Sequence, residues 1–286
     1  MTPWLLKDPP LKAQIEALAR SEGKRGYGFF MEMGLGKTRT VIAEWLASPM
    51  VLALIVPNSM KGNWASEITD QAKGFNLEIH VWETNRFTVK RAGVMGEVAP
   101  RKAYVFNFES IIFGGGEALE KLVGPNTYLA IDESVHVKNF NADVTKTVIR
   151  LSKECGMRRI LSGNPRPESV MDLWSQLRCI GALDGVNPYA FRGRYAVMGG
   201  YMNKQVKGTK NQEELTRIMT ACSFVAAKKD WADLPEKVYL PPRAVKMTTE
   251  QQKTYNQMWK DFLTVVNGFE CSAEQMINVQ IGRAHV

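Results

Sequence analysis

Between residues 27 and 163 short apolar runs alternate with longer segments whose apolar positions recur at helical spacing. "YGFFME" (27–32) precedes a helical pattern from Thr38 to Ala47, "VLALIV" (51–56) follows, and "MKGNWASEITDQA" supplies a second helix. This alternation is the mark of βαβ units around a parallel sheet. Four more runs are strand-sized: "LEIHVW" (77–82), "KAYVFNF" (102–108), "YLAIDE" (128–133) and "RRILSG" (158–163). All are fit to be strands covered on both faces. Five or six parallel strands then make one doubly wound α/β domain. After about residue 180 the texture changes to "GALDGVNPYAFRGRYAVMGGYMNKQVKGTKN", and helical periodicity returns over "QEELTRIMTACSF" and "TTEQQKTYNQMWKDFLTVV". This part reads as a smaller, mostly helical appendage.

The first strand runs into "MEMGLGKT" (31–38), a phosphate-loop pattern GxxxxGK(S/T) in which Met31 stands where the first glycine is usual. A phosphate cradle needs an abrupt strand end, small residues whose amides can turn to the anion, a lysine and a hydroxyl for magnesium. Gly34 and Gly36 allow the turn, Lys37 would reach the β and γ phosphates, and Thr38 would hold Mg²⁺. The helix that starts there adds its positive end. The position of Met31 closes the strand without touching phosphate, so its change is expected to be tolerated. A glycine turn before a helix is common by itself, but "YLAIDES" (128–134) ends a later strand in two carboxylates. Asp132 is placed to bind magnesium through water and Glu133 to orient and deprotonate an attacking water.

The order of motifs resembles the Swi/Snf-type branch of superfamily-two helicase-like ATPases, in its compact phage and bacterial forms. "MEMGLGKT" is similar to that family's DEMGLGKT, "LIVPNSMKGNWASEI" to its strand, proline and Trp-x-x-Glu segment, and "FNFESI" to its nyEsl. "AIDESVHVKN" resembles lDEsHriKN, "RRILSGNPRPESVMDLWSQL" resembles rllLTGTPixNxxxELwsLl, and "AAKKDWADLPEKVY" carries the likeness to about residue 240. The resemblance implies a P-loop NTPase with a RecA-like lobe over 1–180, a helical insertion over 181–280 leading to a second lobe absent from this chain, and ATP with Mg²⁺ as ligands. It sets Met33, Gly34, Leu35, Gly36, Lys37, Thr38 and Arg39 against the nucleotide and Gln14 at the adenine edge. Ser162 and Gly163 would couple the γ-phosphate site to the nucleic-acid track, and Asn58 and Ser59 would meet the phosphates of duplex DNA. Trp64 reads as core. Two departures bear on coupling: Val135 stands where the family has His, with His136 one place late, and Asn164 replaces the Thr of GTP. The function implied is ATP-driven DNA translocation; a strand-separating DNA or RNA helicase and a non-hydrolysing scaffold lobe are the alternatives.

The closing "IGRAHV" (281–286) is what ATCGGAAGAGCACACGTC, the start of a short-read sequencing adapter, would encode, and is expected to be a non-biological tail on a gene that continues into the second lobe. A formal charge of +8 and a pI near 9.3 suit a polyanionic partner. The four cysteines and three histidines are scattered, so neither a disulfide framework nor zinc is expected. "VLALIV" is far too short to cross a bilayer and "MTPWLLKDPP" lacks a signal peptide's layout. A cytoplasmic protein of a bacterial cell or phage-infected host is the expectation.

Overall fold

The computed structural model describes residues 4–93, 99–163, 169–200, 205–231 and 247–257, with the backbone of 258–261, 263–266 and 269–272. Its centre is an eight-stranded sheet. In chain order the main elements are α1 (Lys12–Ser21), β1 (Gly26–Met31), α2 (Lys37–Leu46), β2 (Val51–Val56), α3 (Lys61–Gln71), β3 (Asn76–Glu83), β4 (Arg86–Gly93), β5 (Arg101–Asn107), α4 (Gly115–Glu120), β6 (Thr127–Ile131), α5 (Asp143–Ser152), β7 (Met157–Ser162), α6 (Val170–Cys179), α7 (Pro188–Tyr195), β8 (Ala196–Gly199), β9 (Gln205–Thr209), α8 (Gln212–Cys222), β10 (Ser223–Ala226) and α9 (Lys228–Trp231). The spatial order is β10-β1-β7-β6-β2-β5-β3-β4.

All six runs read as strands from the sequence lie in this sheet and pair in parallel. Two further strands extend it. At one edge β4 runs antiparallel to β3 across the two-residue turn Thr84–Asn85, both with positive φ. At the other, β10 lies parallel to β1, so the chain beyond residue 180 returns to complete the main sheet. The parallel sheet expected from the sequence is therefore mixed, and the segment expected to be mostly helical also carries strands. Between α7 and α8 stands the β8–β9 hairpin, and Arg194 of α7 pairs with Glu214 of α8 at 2.7 Å. The chain divides into two compact units, residues 1–234 and 235–286; the second contributes the helix Thr249–Asp261 and an antiparallel pair over 263–266 and 269–272.

Strand residues alternate between two apolar layers. On one face Phe29, Leu52, Leu54 and Val56 meet Ala13 and Ala17 of α1, Val41 and Trp45 of α2, and Trp64 and Ile68 of α3. On the other, Phe30, Ala53, Ile55, Leu129 and Ile131 meet Val148 and Leu151 of α5 and Leu173 and Leu177 of α6. Burial on both faces explains why "VLALIV" shows no polar alternation. No helix among the described residues is long and apolar enough to cross a membrane.

Candidate active site

In a parallel sheet the carboxyl ends of the strands share one edge, and loops there meet residues far apart in sequence. β7 lies between β1 and β6. The glycine loop after β1, Ser162–Gly163 at the end of β7, and Asp132–Glu133 after β6 are thus neighbours along that edge. Gly163 closes the gap: a β-carbon built on it would stand 3.5 Å from Met33 Cγ and 3.8 Å from Lys37 Nζ.

The loop takes its shape from Gly34 (φ +88°) and Gly36 (φ +79°), a left-handed conformation that a side chain would strain. Gly36 is the cap residue of α2, and an added β-carbon there would collide with the Gln14 amide. Gln14 is fully buried; its Nε2 donates to Gly36 O at 2.9 Å and its Oε1 accepts from Leu11 N at 2.8 Å. One side chain thereby caps α1 and ties it to the loop. Lys37 Nζ donates to Met31 O at 2.9 Å. The backbone carbonyl serves that bond, so the Met31 side chain is free to lie in the core, where it is fully buried. Leu35 is buried beneath the loop while Met33 projects into solvent. Thr38 stands half-buried in the first turn of α2. Arg39 turns away to donate to Asp8 O and Pro9 O, both at 2.9 Å.

Facing the loop, Asp132 is buried and both its oxygens are engaged. Oδ2 accepts from Trp64 Nε1 at 2.8 Å and Oδ1 from Glu133 N at 2.9 Å. Trp64 is core, as expected, and also holds the carboxylate. Glu133 adopts φ 47°, ψ 58°, a left-handed conformation costing a non-glycine residue about 1–2 kcal/mol. Next to it, Ser134 Oγ donates to Gln176 Oε1 of α6 at 2.6 Å. Burial, then the charge of Asp132, lifts the Glu133 carboxyl above the ordinary range, with Lys37 and His136 opposing. Burial lowers Lys37 against the pull of Glu133 and Asp132. Lysine and carboxylates therefore lie within each other's field, although neither pairs directly with the other in any bond found among the described residues.

Asn58 and Ser59 are exposed in the short helix after β2, on the same edge. Val135 is exposed, and His136 stacks on Phe108 at 4.8 Å between ring centroids. Asn164, the whole of the "DLPEK" segment and the tail 281–286 lie outside the described residues. Sequence reasoning missed the Trp64–Asp132 bond, although Trp64 stood in a quoted motif. It also missed the clasp between the loop and the end of β10, where Glu32 N donates to Ala226 O at 2.9 Å and Lys228 N to Glu32 Oε2 at 2.7 Å. An open recess of about 830 Å³, lined by His80, Trp82, Phe87, Tyr104 and Phe113, lies along the β3–β4 hairpin. None of the loop or carboxylate residues lines it.

The SNF2-related domain family matches residues 16–282. An uncharacterized ATP-dependent helicase of Mycoplasma genitalium is 27% identical over 258 residues, which are 87% of this chain and 23% of that protein. The SWI/SNF-related matrix-associated actin-dependent regulator of chromatin subfamily A-like protein 1 of Drosophila melanogaster is 24% identical over 246 residues, 82% of this chain and 30% of the relative. This chain thus spans less than a third of either. In fold it is similar to the Sulfolobus solfataricus SWI2/SNF2 ATPase core in complex with dsDNA, with a TM-score of 0.63 and 22% identity over 82% of this chain and 48% of that one. The RecA-like α/β core with its smaller helical part agrees with that architecture. The chain belongs to the SNF2-related domain family.

Proposed function

We propose that this chain is the first motor lobe of an ATP-dependent DNA translocase. The observation that carries the reading is that Lys37, beside a two-glycine turn at the mouth of α2, and the Asp132–Glu133 pair flank the Ser162–Gly163 end of β7 on one sheet edge. Loop amides and the α2 terminus would receive the phosphates, with Lys37 neutralising them. The Thr38 hydroxyl and the Asp132 carboxylate are hard oxygen donors that fit Mg²⁺. Bound magnesium would supply charge neutralisation on the transferred phosphoryl group. Glu133, with its raised carboxyl, would orient water and take its proton. Ser162 and Gly163 stand between the two halves of the site and would relay its state, while Asn58 and Ser59 would touch DNA phosphates. Contacts to phosphate make binding salt-sensitive and largely indifferent to sequence. Arginines from a second lobe would complete hydrolysis, an effect of about 10³–10⁵ in rate, so the chain alone should turn over slowly.

The test is phosphate release from ATP, with and without duplex DNA, by this lobe joined to a second one. Wild type should be stimulated by DNA, and Glu133→Gln should lose at least about 100-fold. Equal rates for the two would identify a non-hydrolysing scaffold. Unwinding of a duplex would favour a strand-separating helicase.

A further inference from the structure

We propose that Lys228 is a second phosphate-binding cation of the nucleotide site, brought to the glycine turn by the segment that follows β10. The inference rests on the nucleotide reading of that turn. Three contacts fasten the segment to the loop. Glu32 N donates to Ala226 O, the Glu32 carboxylate accepts the Lys228 N–H in return, and the Lys228 side chain crosses over Gly34. Its Cε and Nζ lie 2.9 and 3.1 Å from where a β-carbon on Gly34 would stand. The space that any other residue at position 34 would fill is occupied by the lysine stem. Gly34 therefore serves the backbone turn and the approach of Lys228 together.

The ammonium has no ion-pair partner among the described residues, and the carboxylate bound to this residue, Glu32, accepts through Oε2 from its backbone N–H. An unneutralised lysine beside loop amides is a binding group for phosphate oxygens. Lys37 approaches the loop from the β7 side, against Gly163, whereas Lys228 comes from β10. β1 lies between those strands, so the two cations flank the loop that continues it. The arrangement also ties the charge in the loop to the chain leaving the sheet, since Lys228 begins α9 and the first compact unit ends at Leu234. A triphosphate, carrying more charge than a diphosphate, should draw Lys228 harder.

The test is equilibrium binding of fluorescent MANT-ATP and MANT-ADP to the whole chain in Mg²⁺ at fixed ionic strength. The variants are Lys37→Ala, Lys228→Gln and Lys229→Gln, with thermal unfolding checked for each. Lys228→Gln removes the charge and shortens the side chain by one atom while keeping a polar end toward Gly34. Lys229→Gln removes the same charge one residue along, at an exposed position. Lys228→Gln should weaken MANT-ATP about tenfold and MANT-ADP less, while Lys229→Gln stays near wild type. Equal affinities for the two glutamine variants, or tighter binding by Lys228→Gln, overturn the inference while Lys37→Ala still binds poorly. A wild type without affinity, or a Lys37→Ala variant that binds normally, overturns the nucleotide reading and this inference with it.

Discussion

Asp132 is a buried carboxylate whose two oxygens are each held by an N–H, one from the Trp64 indole and one from the next backbone amide. Trp64→Phe keeps an aromatic side chain, smaller than the indole, and removes one donor. A hydrogen bond to a charged group contributes about 1.5–3 kcal/mol, so the Mg²⁺ concentration for half-maximal ATP binding should rise about tenfold or more. An unchanged Mg²⁺ titration would show that Trp64 serves packing alone. Glu133 carries a second consequence. Its folded carboxyl titrates above its unfolded value, through burial and the Asp132 charge. The group then favours the folded state fully below the unfolded pKa, and that contribution is lost as pH rises through the folded one. At pH 7–8 Glu133→Gln should therefore raise the melting temperature, with the gain disappearing toward pH 4; a lower melting temperature at neutral pH would contradict this. Lys37, Thr38, Asp132 and Glu133 could be singled out in the sequence because the roles proposed for them follow from residue type and from standing just past a strand. The contacts of Gln14, Trp64 and Lys228 were not. Each reaches a partner from a different element, and such bonds leave no mark in local spacing.

Helix α2 aims its first turn along the sheet edge, and a buried network fixes its direction. Glu44 accepts from Arg159 Nε and Nη2, both at 2.7 Å, from Tyr128 Oη at 2.7 Å and from Ser21 Oγ at 2.8 Å. The network joins α2 to β7, β6 and α1 around a fully buried guanidinium. Removing one member strands a buried charge, which typically costs 3–5 kcal/mol. Arg159→Met should lose roughly that much in urea unfolding, and adding Glu44→Leu should recover part of it, because the stranded carboxylate goes too. Equal losses for the single and double variants would mean that the network contributes only shape. Neither residue could be singled out from sequence, since an arginine in "RRILSG" reads as a strand-end charge. The hairpin strand β4 was hidden for a related reason. Its turn is Thr84–Asn85, without the glycine that usually signals such a turn, and much of "RFTVKRAG" is exposed. The central strands, buried on both sides, announced themselves by unbroken apolar runs.

At the scale of the molecule, the chain past residue 180 belongs partly to the main sheet. β10 has only four residues, too few to show a period, which is why "ACSF" read as the end of a helix. In the sheet Phe224 stands opposite Phe29 and both are buried, so Phe224→Ala should destabilise the whole first unit by about 3–5 kcal/mol, as should Phe29→Ala. A cooperative transition unchanged by Phe224→Ala would mean that β10 is a loosely attached edge. The completed sheet places a glycine loop, a lysine and two carboxylates on one rim, and the account stands on their acting together on a magnesium nucleotide. Calorimetric titration of the chain with ATP, with and without Mg²⁺, for wild type, Lys37→Ala and Asp132→Ala, tests this most directly. Wild type should show a single Mg²⁺-dependent site that Lys37→Ala weakens at least about tenfold and whose Mg²⁺ dependence Asp132→Ala abolishes. A folded wild type that takes up no ATP, or affinities that ignore both substitutions, would contradict it.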